Sequence, residues 1–220
     1  IVTGETAFAY NEGATRVDAQ VQELMKKLMD VDFGNPSSRH QKGVVAEGYI
    51  KEARQKIAAT LKVDPKELII TSGGTESNNM ALIGTALVAK RKGNHIITTA
   101  VEHPSVKATA SFLEEQGFRI TFLSVDSRGQ ISLEDLKEAL TPDTILVSIM
   151  YVNNEIGTIQ PVEEAAKLVH ATVPGAVFHV DAIQAYGKVM IRPKQQGIDL
   201  LSVSSHKFHG PKGAGFLYCS

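Results

Sequence analysis

Five short clusters carry the residue types that do chemistry, and Lys207 is the most telling of them. It stands in SSHKFHG with no acidic residue within five positions on either side. An amine sheltered from carboxylates and from water loses preference for its charged form, the condition for a nucleophilic lysine. A surface lysine beside a glycine turn is the plainer reading. Ser204 and His206 add a hydroxyl and an imidazole suited to holding a phosphate. Asp181 ends an apolar run with Gln184 three residues on, so its carboxylate either caps a helix or pairs with a cationic ring nitrogen. The turn Ser72-Gly73-Gly74-Thr75 offers backbone N–H groups and the Thr75 hydroxyl to an anion, although a plain tight turn reads as well. It matches neither a Walker loop nor GxGxxG. His103, just before Pro104, reads as a helix-entry residue or as a ring that stacks on a flat ligand and moves protons. Neither HExxH nor HxxE spacing occurs, so no metal site is expected.

These clusters need elements that bring them together. Apolar runs rich in β-branched residues occur at 68–71, 95–99, 119–123, 144–150, 177–180 and 200–203, and FLYC (216–219) reads as a further strand. Helical spacing occupies 19–29, 41–61, 75–92, 104–116, 132–140 and 161–173. The alternation predicts an α/β fold, a mostly parallel sheet with helices on both faces. Ligands in such sheets bind beyond the carboxyl ends of the strands, and five strand ends here deliver a polar cluster.

Composition narrows the function classes. The 220 residues are 43% hydrophobic and 21% charged, which suits a folded globular chain. A net charge of −1 gives no electrostatic case for nucleic acid or an anionic membrane. The single Cys219 excludes an internal disulfide framework, fits a reducing, cytoplasmic setting, and reads as a small buried hydrophobe in its strand. No apolar run is long enough to span a bilayer, and no signal peptide is expected.

Taken together, GNPSSRH (34–40), TSGGTESNN (71–79), EHPS (102–105), NNEIGTIQP (153–161), HVDAIQAYGK (179–188) and SSHKFHGPKGAGFLY (204–218) resemble the cysteine desulfurases of the NifS/IscS type. These belong to the class-V aminotransferase group of enzymes dependent on pyridoxal 5'-phosphate (PLP). The resemblance implies Lys207 as the Schiff-base lysine and Asp181 as partner of the pyridinium nitrogen. It places Gln184 and Asn153 near the ring's phenolic oxygen and His103 over the ring, assisting proton transfer. Gly74, Thr75, Ser204 and His206 would hold the phosphate. The implied reaction takes L-cysteine to L-alanine, with sulfur leaving as a persulfide. Relatives imply a homodimer and a sulfur-acceptor protein such as an iron–sulfur scaffold.

The pattern is incomplete. The resemblance divides the chain into an N-terminal arm (1–17) and a PLP-binding large domain (18–220). The C-terminal small domain, with its sulfur-accepting cysteine and substrate-gripping arginine, lies beyond this sequence, so little turnover is expected of the chain alone. Tyr10 stands where the family usually has Asp, and Ala14 where Thr is common. The alternatives are another class-V enzyme (an aminotransferase or a selenocysteine lyase) or a non-catalytic PLP-fold binding domain.

Overall fold

The computed structural model describes residues 13–220; Tyr10, Asn11 and Glu12 of the altered N-terminal string lie outside the described residues. Two helices come first: α1 (Ala19–Asp30), capped by the Asp18 side chain, and α2 (Gln41–Leu61), capped by His40. Then follow β1 (Leu68–Thr71), α3 (Gly74–Ala89), β2 (His95–Thr99), α4 (Pro104–Glu115) and β3 (Arg119–Leu123). The chain continues through α5 (Leu133–Ala139), β4 (Thr144–Met150), α6 (Val162–Thr172), β5 (Val177–Asp181), α7 (Pro193–Gln196), β6 (Leu200–Ser204) and β7 (Gly215–Cys219). Capping fixes several of these starts: Ser132 accepts from Asp135 N at α5, and Pro104 opens α4.

The seven strands form one sheet in the order β1-β7-β6-β5-β4-β2-β3. All pairs are parallel except those made by β7, which runs against both β1 and β6. Because β7 reverses between them, β1 and β6 point the same way. The carboxyl ends of β1, β2, β4, β5 and β6 therefore share one edge. The direction of travel across the sheet reverses between β2 and β4, since β2 leads outward to β3 while β4 leads inward to β5. Loops leaving such a pair part company and open a crevice.

The period of two divides the core. Ile97, Val147, Leu201 and Phe216 belong to the cluster with α6, whereas their neighbours Ile96, Leu146, Leu200 and Leu217 pack with α3 and α4. Both faces are covered, so β2 and β4 are buried at every position. Burying one such side chain contributes about 1.5–3 kcal/mol before entropy is charged against it.

Polar residues also enter this core, His179 among them. His179 is fully buried in β5 and bridges Ser148 on β4 (2.8 Å) and Ser202 on β6 (2.9 Å). Cys219 lies in β7 as its sequence suggests, but the end of that strand leaves it exposed rather than buried. Partial desolvation, then Asp199 and Glu67, hold its thiol above the usual range, which disfavours a thiolate.

Candidate active site

The turn after β1 is shaped for close approach. Gly73 has φ +149°, a region glycine tolerates and other residues rarely adopt, and it caps the sixteen-residue α3. Ser77 N returns to Gly73 O, so the N–H groups before it have no helical partner and project from the helix's positive end. Glu76 ties the turn by accepting from Ser72 N and Ser72 Oγ, which keeps its own carboxyl below the usual range. Beside this turn, Ser204 Oγ lies 2.7 Å from His206 Nδ1. Burial, then the neighbouring Lys207, pushes the His206 imidazole down.

The next strand ends supply the other groups. Asp181, at the end of β5, is 4% exposed; it accepts from Ile183 N (3.0 Å) and from Asn78 Nδ2 on α3 (2.8 Å). Burial raises its carboxyl above the usual range, opposed by those two hydrogen bonds and by nearby His103 and Lys207. Lys207 is 8% exposed in a single 3-10 turn directly after β6. A strap from the N-terminal segment secures that turn: Thr15 N donates to His206 O (2.8 Å), and Asp18 N to His209 O (3.0 Å). His209 N donates to Thr15 Oγ1 (2.6 Å), which steadies a residue at φ +67°.

A single cavity of about 260 Å³ joins these parts. Lys207, Asp181, Gln184 and His103 line it, together with Gly74, Thr75 and His206. Ser204 lines the adjoining recess with Gly73, Thr75 and Lys212. The structure thus gathers a buried amine, a buried carboxylate, an imidazole and a helix N-terminus around one slot.

The aminotransferase class-V family model matches residues 7–220. The chain belongs to that family. It is 50% identical over 204 residues to the cysteine desulfurase IscS of Dictyoglomus turgidum, covering 93% of this chain and 51% of that protein. Among solved structures, a NifS-like protein superposes with a TM-score of 0.91 at 42% identity, covering 94% of this chain and 56% of the other. The structure described as SspA in complex with cysteine gives 0.90 at 41% identity, covering 94% and 59%. The chain spans about half the length of the curated relatives it matches.

Within this class-V fold, one expected position changes. Asn153 does not line the cavity: its Nδ2 donates to Val101 O, and its Oδ1 accepts from Glu155 N and Ile156 N. Asn153 is spent on shaping the turn after β4, and the next residue, Asn154, faces the slot instead. Sequence offered two adjacent asparagines and no local signal to choose between them.

Other residues at this class-V site carried no sequence signal of their own. Asn78 sits one helical turn inside α3 and reaches Asp181 across the layer. Lys188 donates to Gln184 Oε1 (3.4 Å), and desolvation with Lys207 nearby lowers its ammonium. Glu102 is 3% exposed and accepts from Thr99 Oγ1 (2.9 Å) and Met150 N (2.8 Å), pinning the turn that bears His103 to the end of β4. Burial, then Asp181, pushes its carboxyl up to about 8. Among the described residues, no group of three or more His, Cys, Asp or Glu could hold a metal ion, and no helix is long and apolar enough to cross a membrane.

Proposed function

We propose that residues 18–220 form the PLP-binding domain of a cysteine desulfurase acting on L-cysteine, with the segment before them as an arm. One observation carries this reading: Lys207, Asp181, His103 and the N-terminus of α3 face the same slot. The residues fit the cofactor chemically. A buried carboxylate whose ionised form is disfavoured gains most from a cationic N–H partner, and the pyridinium nitrogen is one. The turn at Gly73 and Gly74, with Thr75, Ser204 and His206, suits the phosphate. Bound there, PLP would supply the electron sink, leaving placement and electrostatics to the protein.

The chain's own residues then divide the work. Asp181 would hold the ring nitrogen, Gln184 and Asn154 would orient the ring, and His103 would stack on it. Lys207 would be the amine nucleophile for the cofactor's aldehyde. The strap from Thr15 and Asp18 fixes the turn that carries Lys207. Exposed Leu24, Met29, Phe33 and Val44 give a homodimer apolar surface to cover. A cytoplasmic setting and an acceptor protein of the iron–sulfur scaffold kind accord with this chemistry.

The test is chemical capture. The chain is incubated with PLP, reduced with borohydride and digested, and the modified residue is found by mass spectrometry. Label should fall on Lys207 and vanish in Lys207→Ala. Capture chiefly on Lys188, or equal capture after Lys207→Ala, would overturn the assignment.

A further inference from the structure

Between Asp181 and His103 runs a line of buried polar groups whose donor directions are fixed at both ends. At one end the backbone N–H of Ser105, which can only donate, points at His103 Nδ1 (3.1 Å), and the His103 side chain so caps α4. Nδ1 must therefore present its lone pair. Ser105 Oγ lies 2.8 Å from the same nitrogen, so its hydrogen is directed there as well. The hydroxyl's own lone pairs are then left for Asn78 Nδ2, 3.0 Å away. At the other end that Nδ2 donates to Asp181 Oδ2 (2.8 Å), and the reversed amide would set a carbonyl against a carboxylate. The fold leaves Asn78 Oδ1 buried without a hydrogen-bond partner. An orphaned acceptor of that kind is costly, and here it accompanies the use of both amide hydrogens.

We propose that Asn78 and Ser105 are positioning residues that hold His103 with its ring hydrogen on Nε2, so the imidazole meets a ligand as a hydrogen-bond donor. The ligand class is an anionic group, a carboxylate or thiolate. Resting on the PLP reading, this gives His103 the task of orienting the amino-acid substrate.

The experiment is a long-range proton–nitrogen correlation spectrum of the 220-residue chain labelled with ¹⁵N-histidine, with His103 assigned by the signal lost in His103→Gln. The wild-type ring should show a pyridine-type Nδ1 and a pyrrole-type Nε2. Ser105→Ala and Asn78→Ala should each move Nδ1 toward the position of an unbonded pyridine-type nitrogen, whereas Ser105→Thr, which keeps the hydroxyl, should not. A protonated Nδ1 in the wild type overturns the proposal, as does an Nδ1 signal unmoved by Ser105→Ala. The wild-type spectrum and Ser105→Ala suffice even if Asn78→Ala fails to fold. No cofactor enters the measurement, so its failure and a failure of PLP capture at Lys207 are read separately.

Discussion

Glu102→Gln should make the folded chain more stable at neutral pH, an unusual outcome for a buried polar position. The sign follows from linkage. In the unfolded chain the carboxyl has its ordinary value of 4.5, and in the fold burial and Asp181 push it up to about 8. A raised pKa means the folded state binds the proton more tightly. Its stabilising contribution is therefore complete below pH 4.5 and is lost as pH rises toward 8. At about 1.4 kcal/mol per pH unit, roughly 3 kcal/mol has gone by pH 7. Glutamine keeps an oxygen for Thr99 and Met150 N but cannot ionise, so it escapes that loss. Its amide hydrogens replace Oε2, a buried atom without a hydrogen-bond partner, at a fixed cost of about 1–3 kcal/mol that does not vary with pH. The assay is urea unfolding of both chains from pH 4.5 to 8, taking the difference at each pH. The difference should swing toward the variant by about 3 kcal/mol between the lower limit and pH 7. A pH-independent difference would refute the claim that Glu102 is held neutral in the fold.

Two further outcomes follow from the same structure. His179 has its imidazole pushed down to about 3 by burial, so the unfolded chain takes up its proton first; stability should fall by roughly 1.4 kcal/mol per pH unit below 6.5, a component that His179→Gln removes from the pH-dependent unfolding curve. Gly215→Ala would set a Cβ 2.5 Å from Val203 O and 2.8 Å from Gly73 Cα, both backbone; the strand must shift, lowering stability by about 1–3 kcal/mol in urea unfolding and weakening PLP capture through the displaced phosphate turn.

Much of this protein was legible from residue order alone. Hydrophobic period located the elements closely: the runs at 68–71, 95–99, 119–123 and 144–150 are strands with those bounds, and α2 spans the expected residues. That works because period and capping are local, set by residues within a turn or two of each other. Strand ends also told where Lys207, Asp181 and His103 should converge, since a parallel sheet sends its polar loops to one edge. Local pattern says nothing about which strands pair, so the antiparallel insertion of β7 between β1 and β6 emerged only from packing. The choice of Asn154 over Asn153 likewise turned on a hydrogen bond to Val101 O, fifty-two residues earlier. The high carboxyl of Glu102 and the one-way chain through Asn78 arise where segments distant in sequence bury polar groups together. Partners of that kind are assigned by the folded layers, and no spacing along the chain encodes them.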